Sequence, residues 1–405
     1  MNRLLFILGI LLLFATEILR VYFIMPFPGS QHANTIDLAY FIDRNRLYLR
    51  LLGLLLVVFP LYTWFSKGRV WTKIGLTVVL GLYAVVFYFF NFRFQADKMF
   101  YQPGTVRFAD AATNKVPSEK LVIGVSINNE TKAYPIQIIG YHHQVRDTVG
   151  GMPVMITYCT VCRTGRVFSP IVNGKSENFR LVGMDHFNAM FEDATTGSWW
   201  QQATGVSIAG PLKNRRLKEL PSYQSSLAEW VTEHPDTKIL QPDTVYKKQY
   251  DDLADYDKGT IKGSLEKRDS ASWEAKSWVI GIKSENAEKA YDWNDLVNHS
   301  PIQDTVGNTP ILILLGPDST TFHVWNRNVG GQTLQFIQTP DQPYIKDSTT
   351  GSTWSFNGKC IAGSLKDRQL TPVQYYQEFW HSWSNFHPGT TRYKLLSVPG
   401  VKNSK

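Results

Sequence analysis

The chain writes one pattern twice and leaves out part of it the second time. Val122-Ile123-Gly124, Lys132-Ala133-Tyr134, His142 and Asp147-Thr148-Val149-Gly150 with Pro153 recur at the same spacing as Val279-Ile280-Gly281, Lys289-Ala290-Tyr291, His299 and Asp304-Thr305-Val306-Gly307 with Pro310. Where the first copy reads Tyr158-Cys159-Thr160-Val161-Cys162-Arg163-Thr164-Gly165, the second reads Leu315-Gly316-Pro317-Asp318-Ser319-Thr320-Thr321-Phe322. The match continues through Asp193-x-Thr-Thr-Gly-Ser with Trp200 against Asp347-x-Thr-Thr-Gly-Ser with Trp354, and through Trp230, His234-Pro235 and Thr237 against Trp383, His387-Pro388 and Thr390. Such repetition predicts two like-folded units. What both copies keep belongs to the fold, and what one copy drops belongs to a site.

Three apolar runs, about 4–25, 47–65 and 74–92, approach the roughly 20 residues that cross a bilayer. Glu17 and Arg20 interrupt the first run, but no small-residue cleavage site follows it, so a retained helix is expected in place of a signal peptide. The loop between the second and third runs carries Lys67, Arg69 and Lys73 with no acidic residue, which marks it as cytoplasmic. A multi-pass protein of the cell membrane with its soluble part on the extracytoplasmic, periplasmic side follows. Arg46 and Arg50 oppose that orientation, with Asp43 a partial offset.

The net charge of +8 belongs mostly to this anchor: ten Lys/Arg against four Asp/Glu in the first hundred residues leave only two surplus positive charges for the rest. A soluble part so nearly neutral has no electrostatic footprint for nucleic acid. Its short runs rich in Val, Ile, Tyr and Phe, such as 120–127, 154–158, 165–168 and 309–315, separated by Gly, Asn and Pro, read as strands. Helices are expected at 225–233 and 372–386. The expected fold is an N-terminal three-helix transmembrane anchor (1–95) followed by two tandem, homologous, mainly-β (α+β) domains. The first (100–240) carries the Cys-x-x-Cys and the second (276–395) is degenerate. The Asp-, Lys- and Ser-rich stretch 241–275 reads as a solvated linker.

Two cysteines separated by two residues can form a redox dithiol, supply two soft metal ligands or tie a turn, and all three remain open here. No His follows Cys162, which excludes c-type haem attachment, and no Gly-rich nucleotide loop occurs. The redox reading assigns Cys159 and Cys162 as reacting thiols, Arg163 as the cation that stabilises a thiolate, and Tyr158 and Trp200 as shields. The metal reading, with copper the best match to thiolate, imidazole and thioether donors, draws on Cys159, Cys162, His142, His143, His186 and Met190. Because His142 recurs as His299, a structural task is expected for it, such as bonding Asp147.

Tyr-Cys-x-x-Cys-x-Thr-Gly after a Gly-Gly-x-Pro strand, preceded by Lys-Ala-Tyr-Pro and Tyr141-His142 and followed by Thr196-Gly197-Ser198-x-Trp200-Gln201 and His234-Pro235-x-Thr237, resembles domain of unknown function family 3179. The resemblance covers about 120–240, with a weaker echo over 276–393. It carries no established activity. Some members are selenoproteins, and a selenocysteine in this segment implies that the pair reacts. The expected function is redox chemistry at a vicinal dithiol, with a protein or small-molecule redox partner. The alternatives are a copper-binding module on the same pair and a non-enzymatic scaffold subunit.

Overall fold

The protein is described by a computed structural model covering residues 2–338 and 344–395. It separates into two compact units, one drawn from residues 1–102 and 170–218 and the other from 103–169 and 219–405.

The first unit opens with three helices long and apolar enough to cross a membrane: α1, Asn2–Tyr22; α2, Ile36–Lys67; and α3, Val70–Phe92. α1 stops short of Met25 because Pro26 and Pro28 follow, and the residue before a proline disfavours the helical conformation. α2 starts eleven residues before the apolar run at Leu47. Its leading turns carry Asp37, which suits a helix N-terminus, and polar residues that water can solvate. Small residues bring α1 and α2 together: a Cβ on Gly9 would lie 2.5 Å from Val57 and one on Gly53 would lie 2.7 Å from Leu13.

The charges that interrupt the apolar runs are paired. Arg50 grips Glu17 through two hydrogen bonds of 2.6 and 2.7 Å, and Asn91 adds a third of 2.8 Å. Arg20 and Arg46 both meet Asp43, at 3.3 and 3.1 Å. The same unit holds a four-stranded antiparallel sheet ordered Ser207–Ala209, Trp199–Gln201, Asn188–Asp193, Phe179–Asp185. In its turn the Asp193 carboxylate accepts from Thr196, from the Ser198 amide and from Trp200 Nε1.

The second unit contains several small sheets. One is ordered Phe108–Ala109, Lys238–Leu240, Glu130–Pro135, Leu121–Ile127, Tyr223–Ser226; another is ordered Tyr375–Phe379, Trp278–Ser284, Ala287–Asp292, Thr391–Arg392. In both, the short strand beside the Lys-Ala-Tyr strand runs parallel to it and the other pairings are antiparallel. Each Lys-Ala-Tyr strand leads into a seven-residue helix, Ile136–His142 or Trp293–His299, and then a hairpin. The first hairpin turns on Gly150 and Gly151, whose φ of 55° and 76° give the left-handed pair that a two-residue turn requires.

The retained residues make matching bonds. Tyr134 donates to Asp147 at 2.7 Å and Tyr291 to Asp304 at 2.8 Å. Trp230 Nε1 donates to Thr237 and Trp383 Nε1 to Thr390. Gly124 and Gly281 lie under those indoles, where a Cβ would approach Trp230 to 2.2 Å and Trp383 to 2.1 Å. Asp347 receives Trp354 Nε1 as Asp193 receives Trp200.

Three expectations need correction. The 225–233 helix forms as Leu227–Glu233, capped by Ser226, but only Trp380–Phe386 of 372–386 is helical, since Tyr375–Phe379 is taken into a sheet. The 241–275 stretch is not simply solvated: it contains a helix, Lys247–Asp252, and buries Tyr250 and Tyr256. His142 is fully buried and meets the Tyr250 hydroxyl at 2.6 Å, whereas Asp147 receives Lys132 and Tyr134. His299 is exposed, so the two histidines share no structural task.

Gly281→Ala is therefore expected to cost about 1–3 kcal/mol through overpacking against Trp383, measured by urea unfolding of the full chain. His299→Ala, at an exposed site, should change stability by less than about 0.5 kcal/mol. Comparable losses in the two variants would contradict this assignment.

Candidate site: a sheltered cysteine pair

The cysteines stand at the tip of the hairpin formed by Met152–Cys159 and Thr164–Phe168, with Cys159 opposite Thr164. The tip turns through Arg163, whose φ of 54° places it in the left-handed region. Both are thiols outside any disulfide, and both are fully buried. So are Tyr158 and Thr164, and Thr160 and Val161 are nearly so.

A buried loop tip exposes carbonyls that need donors, and each here finds one far away in sequence. Thr160 O accepts from the Tyr256 hydroxyl at 2.9 Å. Val161 O accepts from Lys276 Nζ at 2.7 Å and lies 3.1 Å from His381 Nε2. Cys162 O accepts from the Phe379 amide at 3.0 Å. Thr164 Oγ1 lies 3.1 Å from Ser382 Oγ, which in turn donates to Glu378. Glu378 also pairs with the buried Arg166.

Electrostatics at the pair differ from the expectation drawn from spacing. Burial pushes the Cys162 thiol well above its ordinary pKa, the neighbouring Cys159 adds to this, and Ser382 and Lys276 oppose it. The cation acting on the thiols is Lys276. Burial lowers its pKa while Cys162 and Cys159 pull the other way. His381, 3.2 Å from Lys276 Nζ, is driven down to about 4, chiefly by burial and then by Lys276, and is neutral at pH 7.

Arg163 is committed elsewhere. It donates to Gln377 at 3.0 Å, reaches the carbonyls of Tyr256 and Asp257 at 3.5 Å, and lies over the Trp278 ring at 3.9 Å from its centroid. Its role is to fasten the 256–278 stretch to the loop. Tyr158 is fully buried, its hydroxyl 3.4 Å from that of Tyr256. Trp200 belongs to the other compact unit.

The expected metal set is divided. His143, buried and lowered by that burial to about 4, lies 3.1 Å from the Tyr141 carbonyl, and His142 meets Tyr250. His186 pairs with Asp185 at 2.7 Å, and it and Met190 belong to the unit that lacks the cysteines. Among the described residues no three His, Cys, Asp or Glu side chains are grouped to hold a metal ion. Sequence reading missed Tyr256, Lys276, His381 and Ser382. No motif announces them.

Two adjacent thiols in a closed loop can form a disulfide within the tip, but cannot meet a bulky partner without movement of the cover. A thiol whose pKa is raised by folding contributes stability that is full below the unfolded-state value of about 8.5 and is lost as pH rises through the higher folded value. The melting temperature of the reduced full chain should therefore fall more steeply from pH 8 to 10 than that of Cys162→Ser, and the difference between the two isolates the thiol from the buried tyrosines. Parallel curves would contradict a buried, protonated Cys162.

A family model described as "Protein of unknown function (DUF3179)" matches residues 102–390, a span that takes in the cysteine loop and every residue fastening it. No curated protein and no solved structure matches the chain. With most of its length inside the family's model, the chain belongs to the DUF3179 family.

Proposed function

We propose that this is a multi-pass membrane protein that carries on its extracytoplasmic side a sheltered dithiol–disulfide couple, Cys159 and Cys162. The observation that carries the reading is the company the thiols keep: each other, and an ammonium, Lys276, brought to them from over a hundred residues away.

In the redox step the two thiols lose two electrons and two protons and join as one disulfide. The partner, a protein or small-molecule disulfide, accepts both electrons and both protons and leaves as a dithiol. Lys276 favours the transient thiolate, and burial keeps the pair from solvent oxidants between turnovers. We further read residues 276–395 as a copy of 100–240 that lost its cysteines and became a brace, since Phe379, His381 and Ser382 hold the loop. The copper reading would rest on the two thiolates, since among the described residues no third His, Cys, Asp or Glu is grouped with them.

Sidedness rests on charge. The basic Lys67, Arg69 and Lys73 loop stays unpaired by carboxylates in the sequence around it, while Arg46 and Arg50 at the other end are offset by Asp43 and Glu17. A reporter that fluoresces only in the cytoplasm should be dark when fused at the C-terminus and bright when inserted in the Lys67 loop. The opposite pattern would put the dithiol in a reducing compartment and remove the redox reading.

In cells, rapid acid quenching and alkylation should catch Cys159 and Cys162 in both dithiol and disulfide forms. The ratio should follow added reductant reversibly, and Lys276→Met should slow re-equilibration by roughly tenfold, the effect of one pKa unit. A pair that stays wholly reduced or wholly oxidised throughout would be a brace alone.

A further inference from the structure

The polar ends of the three long helices meet the sheet of their own unit around a cavity of about 350 Å³. Its walls bring four guanidiniums, Arg20, Arg44, Arg46 and Arg180, against three carboxylates, Asp43, Asp97 and Glu192. Every cation already has a partner: Arg20 and Arg46 share Asp43 at 3.3 and 3.1 Å, Arg44 and Arg180 share Glu192 at 3.3 and 3.0 Å, and Arg180 also reaches Asp97 at 3.5 Å. One positive charge is still in surplus. Three buried polar atoms on these residues, Arg20 Nε, Asp43 Oδ2 and Asp97 Oδ1, have no partner.

That residue of unmet needs has a definite chemistry. One guanidinium donor and a surplus of positive charge call for an anion, and forked guanidiniums suit phosphate oxygens. Two carboxylate oxygens call for a donor that carries positive charge. The remaining wall has two amides, Asn91 and Gln95, and an apolar side of Val21, Ile24, Met25 and Val182. Position adds a further constraint. α2 is 32 residues long, about 48 Å at 1.5 Å per residue, against a hydrocarbon core of about 30 Å. Its turns before Leu47 therefore extend past the apolar slab, and the C-terminal ends of α1 and α3 lie at the same end of the bundle, at headgroup depth.

We propose that this cavity binds a zwitterionic group with a phosphate and a primary ammonium, the headgroup chemistry of phosphatidylethanolamine. The phosphate sits among Arg20, Arg46 and Arg180, the ammonium donates to Asp43 and Asp97, and the apolar wall meets the start of the acyl chains. Phosphatidylcholine carries a cation with no N–H to donate, and phosphatidylglycerol carries no cation.

The test is native mass spectrometry of the full chain in detergent with an equal mixture of phosphatidylethanolamine, phosphatidylcholine and phosphatidylglycerol. Adducts of phosphatidylethanolamine should exceed each of the others by about tenfold, the scale of one charge-assisted hydrogen bond. Asp97→Asn should remove the advantage over phosphatidylglycerol, and Arg46→Gln, at a half-exposed side chain, should weaken all three. Soluble O-phosphoethanolamine forms a separate arm. If it displaces the lipid at equal concentration, the ligand is a soluble phosphoamine, and if it fails, the ligand is the lipid. Equal retention of the three lipids by the wild-type chain would overturn the site, as would an unchanged preference in an Arg46→Gln, Asp97→Asn double variant with native helix content.

Discussion

Three successive backbone carbonyls, those of Thr160, Val161 and Cys162, point out of the hairpin tip into protein and must be met by donors. Each unmet one would cost on the order of 1–3 kcal/mol. They are met by Tyr256, by Lys276 with His381, and by the Phe379 amide. The loop adds two bonds of its own, from the Arg163 amide to Thr160 O and from Thr164 Oγ1 to Cys162 O, both at 3.3 Å. The shorter bonds, and the ammonium brought to the tip, come from the stretch from 256 to 382.

Much of this dependence falls on one segment. The strand and helix of 375–386 supply Gln377 to Arg163, Glu378 to Arg166 and Ser382 to Thr164. The same segment packs into the core around Trp278, Tyr291 and Phe322 through Tyr375 and Phe379, while Leu312, Leu334, Trp354 and Cys360 form a second cluster. The retained glycines under Trp230 and Trp383 are a packing requirement of both copies, with no bearing on thiol chemistry.

Much of the scaffold was legible in the sequence because it obeys local rules. Apolar length marked the three helices, and a short run rich in Ile marked the strand at 309–315. The site was legible only at its centre. Cys159 and Cys162 announce themselves by spacing, but Lys276 lies in a stretch whose composition looks like solvated linker. His381 lies in a segment that reads as helix and begins as strand. Adjacency misled in two cases: Arg163 follows Cys162, yet its left-handed backbone turns it toward Gln377 and Trp278, and His299 aligns with His142 but faces solvent. Long-range hydrogen bonds to backbone carry no residue-type signature, so no motif could have revealed them.

The redox role proposed for the sealed pair requires it to open without the whole chain unfolding, and Cys360, another buried thiol outside any disulfide and in its own apolar cluster, provides an internal reference. The most direct measurement is the alkylation rate of Cys162 and Cys360 in the reduced, full-length chain across sub-denaturing urea, read by mass spectrometry. Cys162 is expected to react through a local opening, with a weak urea dependence and a rate well above that of Cys360. Identical rates and identical urea slopes for the two thiols would mean that the pair is reached only by global unfolding, which would leave it no path to a redox partner.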